Sequence, residues 1–496
     1  MLTKLKSPLL RFMSRFMSRY MLRPALLLLV LAPACAQRTT AGMEITTKSP
    51  QARALFKNGL AKMETLHLDD GLQSWRKATQ RDPDFALAHI FLAYFAQDPT
   101  EQVAEREKAL AARPRAGKEE QLIIDWLANA SQARWVPAIQ SMNEALSSYP
   151  RDKHLAWLAG WWLLLAQDAP ERAIPMFRRA ILIDPNFADP WNEAAYCYAR
   201  TGNFAEAFRH IKRYSELLPS EPNPQDSYAE ISRMAGRFDS ALAHYRRSLK
   251  IDPKFVESQL GLGDTYALMG KERRARAEYA IAIQKGTKVQ AVLWSLQSAT
   301  SYLREGDFAG ADTAFVAAAH LAHDNDFENL EAEAYRDMSF YSKDSSAALD
   351  ALRKAEAVLR EKKNIPQALL DQERASVLRA RAERAAGDGN MKLAATTIRQ
   401  LEQMVGSSSD QYIQIAYHGA AGAVLVAQGK YDEAIAHLEE DDRNPLSMQG
   451  LAVAYEKTGA SEKAQRMTAR LLHLNEPTIE QAVVVPAFRK THAAGK

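Results

Sequence analysis

Two histidines one helical turn apart are the first residues whose spacing suggests chemistry. His320 and His323 are followed by Asp324 and Asp326, and imidazole and carboxylate groups are common ligands of divalent metals in proteins. The four residues end an alanine-rich stretch, where such side chains are ordinarily solvated. The sequence therefore predicts surface residues at this position, with no metal site and no cofactor.

Catalytic and nucleic-acid-binding motifs give no stronger signal. The chain lacks His-Glu-x-x-His, Gly-x-Ser-x-Gly, a glycine-rich phosphate loop and paired cysteines. Its formal charge of +4 becomes −2 when the six basic residues among the first 34 are set aside. A basic surface for nucleic acid is therefore not expected. We predict a protein that is not an enzyme and does not bind nucleic acid.

Residues 1–36 have the three-part layout of a secretory signal peptide, with a basic start, an apolar run at 25–32 and small residues before the cleavage point. Cleavage before Cys35 would resemble bacterial lipoprotein processing and would tether the protein to a membrane through a lipid on that cysteine. Cleavage after Ala36 would release a soluble protein. We expect export to the periplasm or a membrane face, with Cys35 as the candidate lipidation site.

A 34-residue period organises the rest of the chain. Pro185, Pro219 and Pro253 lie 34 residues apart, and Ala173 and Ala207 precede the first two by twelve residues. Small, bulky and small residues followed by proline at such a period are typical of a stacked two-helix repeat. Glycines suited to a left-handed helix end recur at the expected turns, namely Gly202, Gly236, Gly270, Gly306, Gly429 and Gly459. The sequence thus predicts an all-α solenoid of antiparallel hairpins, in which Cys197 is a small buried side chain.

The residues within single units resemble the tetratricopeptide repeat family. Trp191, Ala195, Tyr198, Ala207 and Pro219 follow its pattern in one unit. A second unit carries the same pattern at Leu262, Gly263, Tyr266, Ala275, Tyr279 and Ala282. The resemblance extends over residues 52–475 and implies a right-handed superhelix whose first helices line a concave groove for peptides or partner proteins.

Candidate binding residues are the first-helix positions that do not serve packing. An asparagine able to bond a peptide backbone, aromatic rings and charges of both signs would suit an extended peptide. In the central units these positions are Leu158, Trp162, Asn192, Tyr196, Arg200, Asp226, Glu230, Arg233 and Asp264. The apolar pair Trp161 and Trp162 is expected to lie in the core, or to form a binding patch if it is exposed.

The predicted domain organisation follows the strength of the repeat. After the signal peptide we expect a spacer at 37–50, a repeat array at 51–326, degenerate helical repeats at 327–405, further repeat units at 406–475, a capping helix at 476–490 and a disordered tail at 491–496. The functional prediction is a non-catalytic scaffold for a protein or peptide partner at the periplasmic or outer cell face. The alternative is a regulatory or sensing module of a signalling system, which would be cytoplasmic if residues 1–36 are not a functional signal; the oligomeric state is left open.

Overall fold

The computed structural model describes residues 43, 45–65, 67–361 and 365–493. Within these residues the chain forms 25 α-helices and no strand, which confirms the predicted all-α class. Consecutive helices pair into twelve hairpins, and one further helix follows. None of the described helices is long and apolar enough to cross a membrane.

The first six hairpins span residues 50–251. Their helices are α1 (Pro50–Glu64), α2 (Leu68–Arg81), α3 (Ala86–Phe95), α4 (Pro99–Ala112), α5 (Lys118–Ser131), α6 (Trp135–Ser148), α7 (Lys153–Trp161), α8 (Pro170–Ile183), α9 (Asp189–Arg200), α10 (Phe204–Leu217), α11 (Asn223–Met234) and α12 (Phe238–Ile251). A π-helical turn, Trp162–Ala166, extends α7.

The remaining helices complete the array. They are α13 (Val256–Leu268), α14 (Glu272–Lys285), α15 (Lys288–Glu305), α16 (Phe308–His323), α17 (Glu328–Tyr341), α18 (Ser345–Arg360), α19 (Gln367–Gly387), α20 (Met391–Ser407), α21 (Gln411–Ala427), α22 (Tyr431–Leu438), α23 (Pro445–Lys457), α24 (Ser461–Leu472) and α25 (Ile479–Ala493). Helices α9 to α14 have 12 to 14 residues, whereas α19 and α20 have 21 and 17. The longer helices change the period, which explains why the repeat signature fades between 327 and 405.

Local signals in the sequence start and end these helices. The Asp152 carboxylate accepts the backbone N–H groups of His154 and Leu155 and caps α7. Thr287 and Gln290 form a capping box at the start of α15. The six glycines predicted at the turns all adopt left-handed φ values, between 70° and 83°, which residues with a Cβ rarely adopt. Gly389, in the turn between α19 and α20, does the same.

Within each hairpin, small residues allow a bulky ring to pack against the opposite backbone. A Cβ added at Gly160 would lie 2.5 Å from the Phe177 ring, and one at Gly263 would lie 2.6 Å from the Tyr279 ring. Ala195, Ala207 and Cys197 are fully buried. The predicted alternation of small and large residues is therefore the packing rule of the array.

The first four hairpins share one aromatic core. Trp75 is fully buried, donates its indole N–H to the carbonyl of Phe56 at 3.2 Å, and contacts the rings of Phe56, Phe91 and Phe95. Buried rings of this size supply a large share of the hydrophobic free energy. These four hairpins are therefore stabilised mainly by their own apolar contacts.

Contacts between residues far apart in sequence fold the array back on itself. The Tyr412 hydroxyl donates to the carbonyl of Leu165 at 2.9 Å, and the Arg443 guanidinium donates to the carbonyl of Asp168 at 2.8 Å. Helix α19 also contacts α5. The C-terminal hairpins therefore meet the turn between α7 and α8, and no 34-residue pattern predicts these contacts.

Two predicted boundaries differ from the structure. Residues 45–49, assigned to a spacer, dock on the first hairpins: the Thr46 amide donates to the Glu120 carboxylate at 2.8 Å, and Ser49 caps α1. Helix α25 runs to Ala493 rather than ending at 490, and Phe488 stacks on His492 with ring centroids 4.0 Å apart. Residues 1–36, with Cys35, lie outside the described residues.

Candidate partner-binding groove

The first helices of successive central hairpins contact each other directly, α9 with α11, α11 with α13, and α13 with α15. The resemblance to tetratricopeptide repeats implies that these helices line the concave side of the array. The candidate groove is the surface that α9, α11, α13 and α15 share on this side of the four hairpins. The predicted binding residues from Asn192 to Asp264 all belong to α9, α11 or α13.

Arg233 is the central cation of the groove. Its guanidinium donates to Glu230 at 2.9 Å and reaches Asp264 at 3.4 Å, and only 3% of the residue is exposed. Burial acts to lower the pKa of Arg233, but Tyr245, Asp264 and Glu230 together raise it. The structure therefore brings three of the predicted residues into one charge network around the buried Arg233.

Two buried carboxylates are held by hydroxyl and amide donors. Asp226 accepts a hydrogen bond from Ser258 at 2.6 Å, and Asp264 accepts one from Tyr279 at 2.8 Å and one from Gln297 at 3.1 Å. Burial raises the pKa of both carboxyl groups above the ordinary value. These donors hold each carboxylate in one orientation on the inner wall.

The other predicted residues lie on either side of this network. The Tyr196 hydroxyl donates to Glu230 at 2.9 Å, and Asn192 is buried and donates to Glu193 at 2.9 Å. Arg200 forms an ion pair with Asp168. The binding role of each remains a prediction.

The two apolar members of the predicted set are buried. Trp162 packs edge-on against Trp126 with ring centroids 5.8 Å apart, and Leu158 is fully buried in the same core. For the tryptophan pair, the sequence left core packing and an exposed binding patch open. The structure supports core packing for Trp162. Trp161 is half-buried, and its indole N–H donates to the Asp189 carboxylate at 3.0 Å.

An extended segment of the chain itself lies in the groove. Residues 474–478, here called the strap, join α24 to α25 without forming a helix. The Gln297 amide donates to the carbonyl of Pro477 at 2.5 Å, and Arg304 donates to the carbonyl of Thr478 at 3.4 Å. Asn475 donates to the carbonyl of Met234 at 3.5 Å. The groove therefore contacts an extended peptide largely through its backbone.

Sequence reasoning missed the residues that hold the strap. Gln297 and Arg304 lie on α15, beyond the strongest repeats, and neither occupies a position of the repeat signature. The only sequence signal for the strap is Pro477, which interrupts the helical pattern between the last unit and the final helix. This signal predicts a break but not where the segment docks.

A cavity of about 320 Å³ adjoins the strap. Four arginines line it, and each has a carboxylate partner: Arg200 pairs with Asp168, Arg443 with Asp168 and Glu171, Arg336 with Glu373, and Arg379 with Asp441. Carboxylates of the same chain therefore neutralise the four arginines that line this cavity.

Metal and thiol chemistry is not apparent in the part of the chain that the structure describes. No group of three or more His, Cys, Asp or Glu side chains there is placed to hold a metal ion. His320 is exposed, and His323 pairs with Glu331 at 3.1 Å. Burial raises the pKa of the Cys197 thiol, so this cysteine is not an activated nucleophile.

Family models agree with the architecture. A model described as "Tetratricopeptide repeat" matches residues 164–231, and one described as "TPR repeat" matches residues 231–270. Together with the stacked hairpins, these matches show that the chain contains tetratricopeptide repeats. Such repeats form scaffolds for protein–protein interaction.

Curated relatives and solved structures share the repeat at low identity. Superkiller protein 3 of Schizosaccharomyces pombe is 23% identical over 241 residues, 47% of this chain and 17% of that protein. Superkiller complex protein 3 of Mus musculus is 27% identical over 116 residues, 23% of this chain and 7% of that protein. The matched segments thus span less than a fifth of these relatives.

Two solved structures align with most of this chain at low sequence identity. The "APC/C hetero-tetramer Cut9-Hcn1" aligns with a TM-score of 0.42 and 14% identity, covering 84% of this chain and 76% of that chain. Yeast Tom70 aligns with a TM-score of 0.40 and 17% identity, covering 83% and 96%.

Proposed function

We propose that this protein is a non-catalytic scaffold that holds an extended segment of a partner protein in the concave groove formed by α9, α11, α13 and α15. The observation that carries the proposal is the strap, because the groove already holds a peptide in extended form. Gln297 and Arg304 donate to its backbone carbonyls, and donors of this kind bind a peptide largely independently of its side chains.

The charges of the groove supply selectivity rather than catalysis. Arg233 is shared between Glu230 and Asp264, and Asp264 is itself held by Tyr279. Buried charges that are paired and hydrogen-bonded in this way are fixed structural groups. A partner is selected by how its own charges fit among these pairs.

Site-specific photocrosslinking in cells tests this proposal. A photoreactive amino acid replaces the half-buried Glu230 in the groove, and a control variant carries it at the exposed Arg247 on the second helix α12. We expect discrete protein adducts from position 230 that position 247 does not give. Identical adducts at both positions, or adducts at 247 alone, would refute the groove as the binding site.

The proposal includes export, with the scaffold acting at the periplasmic or outer face of the cell. Its support is the basic, apolar and small-residue layout of residues 1–36. Cell fractionation tests export, and metabolic labelling with a fatty acid tests acylation. If Cys35 is acylated, Cys35→Ser should remove the label, whereas the control Cys197→Ser should retain it. Full-length protein recovered only in the cytoplasm would rule out export, and an exported but unlabelled protein would leave the soluble form.

A further inference from the structure

The strap occupies the same inner wall that the proposed function assigns to a partner. It contacts α11 through Asn475 and α15 through Pro477 and Thr478. Gly236 lies so close that an added Cβ would be 3.1 Å from the Asn475 amide. A partner segment cannot lie along this part of the groove while the strap is there.

Helix α25 holds the strap in place from its C-terminal side. Ile479 and Ala482 pack with Leu296 and Phe315 of the α15–α16 hairpin, while Val485 belongs to the core of the last hairpins. This helix therefore bridges hairpins that are far apart in sequence. Its removal from the groove would release the strap as well.

One side chain of α25 contacts the end of α24 and the strap rather than the groove wall. Arg489 donates to the carbonyls of Leu472 and Leu474 at 2.9 and 3.3 Å and to the Asn475 side chain at 3.2 Å. It fixes the bend at which the chain leaves α24 and enters the groove. A change at Arg489 can therefore loosen the strap without altering the surface on which the strap lies.

The fit of the strap to the groove is incomplete. Glu476 faces Arg200 and Arg233, but both arginines already have carboxylate partners, and burial raises the pKa of Glu476 despite them. The Arg304 Nε atom is buried without a hydrogen-bond partner among the described residues. Unsatisfied buried groups of this kind lower the stability of a contact.

We propose that the strap is a resident ligand of the groove and that an extended partner segment binding there must displace it, so that the free protein is autoinhibited. This inference rests on the proposed function, since it concerns the same groove. The partner segment that fits is an extended peptide that offers its carbonyls to Gln297 and Arg304, as the strap does, and carries a neutral polar side chain where the strap has Glu476, because Arg200 and Arg233 already have carboxylate partners.

A synthetic peptide copy of residues 472–482, labelled with a fluorophore, tests the inference by fluorescence anisotropy. The titrated proteins are the full chain, its Arg489→Ala variant, and Arg466→Ala as the control. Arg466 is an exposed arginine of the neighbouring helix α24 that pairs with Glu462 at 3.6 Å. We expect at least tenfold tighter binding to Arg489→Ala than to the wild type or the control. We also expect tighter binding when the peptide carries Gln in place of the glutamate that corresponds to Glu476, because the amide avoids the cost of burying a carboxylate.

Hydrogen exchange measured on the same proteins distinguishes failure of the autoinhibition inference from failure of the groove assignment. Arg489→Ala should speed exchange at 474–493, and Val485→Asp is the second variant because it places a charge in the apolar contact of α25. If neither variant frees the strap, the strap is a permanent part of the fold and the inference is wrong. Equal peptide binding to all proteins would also overturn autoinhibition while leaving the scaffold intact. A freed strap with no peptide binding would overturn both the resident-ligand inference and the assignment of the groove.

Discussion

The N-terminal hairpins, α1 to α8, and the central hairpins, α9 to α16, follow the same packing rule but bury different groups. The N-terminal set buries an aromatic core in which Trp75, Phe91 and Trp162 contact other rings. The central set buries charges on its inner side, with Arg233 and Asp264 at the centre. The same hairpin can therefore serve either as a self-sufficient core or as the wall of a groove.

The two regions also differ in which parts of the chain cover their buried residues. Ring contacts within its own hairpins fill most of the N-terminal core, with Phe187 of the following turn as an added ring. The strap and α25, in contrast, cover the central wall from the opposite end of the chain. The stability of the apolar core depends little on distant segments as long as the core residues contact one another. The central wall depends on a contact formed across about 180 residues.

The largest expected effect comes from removing a ring of the N-terminal core. Trp75→Ala should lower the free energy of unfolding by about 3–5 kcal/mol, because it leaves a cavity among three other rings. Urea denaturation measures this loss, and Leu182→Ala is the control, since that side chain is 81% exposed and should change stability by less than about 0.5 kcal/mol. Hydrogen exchange should rise at 50–95 and stay unchanged at 474–478. An equal rise in both segments would show that the regions are not independent.

A pH effect is expected where the two regions meet. Asp189 of α9 accepts hydrogen bonds from Trp157 and Trp161, and burial raises the pKa of its carboxyl to about 7. Between the unfolded pKa, about 4, and 7 the folded state binds a proton that the unfolded state has lost. Stability should therefore fall, by on the order of a few kcal/mol, as pH rises across this window.

Asp189→Asn should reduce this pH dependence, because asparagine stays neutral and still accepts from the indoles, while Glu193, Asp226 and Asp264, whose pKa values burial also raises, retain the rest of the slope. The measurement is the urea midpoint at several pH values between 4 and 8. Asp239→Asn, at an exposed position on α12, is the control and should leave the slope unchanged. A slope unaltered by Asp189→Asn would contradict the assignment of the proton to this site.

A smaller effect should follow from crowding one close helix contact. Gly160→Ala places a Cβ within 2.5 Å of the Phe177 ring and should cost about 1–3 kcal/mol through overpacking. Gly387→Ala is the matched control, because a Cβ there meets no atom within 4 Å. Thermal denaturation compares the two variants. Equal stability would show that the α7–α8 hairpin tolerates a wider crossing than the structure indicates.

The smallest effect concerns the central groove. Gln297→Ala removes the donor to the Pro477 carbonyl and to Asp264 and should cost about 1 kcal/mol. Hydrogen exchange should accelerate at 474–478 but not at 50–95, the reverse of the result for Trp75→Ala. Gln428→Ala, at an exposed position at the end of α21, should leave both segments unchanged. Unaltered exchange of the strap would mean that Gln297 does not hold it.

Much of the fold could be predicted because its signals are local. Gly202 and Gly236 end first helices with left-handed φ, as their spacing predicts. Arg233 and Asp264 could be placed on the inner wall because the repeat fixes which positions serve packing. Gln297 and Arg304 could not be identified as holding a peptide, since their role depends on a segment about 175 to 180 residues further along.

The sequence by itself determined the hairpins, their turns and the pairing of small with bulky residues, because each depends on residues within one 34-residue unit or its neighbour. Only the tertiary structure decided that the array folds back on itself, that Trp162 belongs to the core, and that residues 474–478 lie in the groove. Small rotations between successive hairpins accumulate along the array and decide which distant surfaces meet. The 34-residue period of the sequence does not indicate how large this accumulated rotation is.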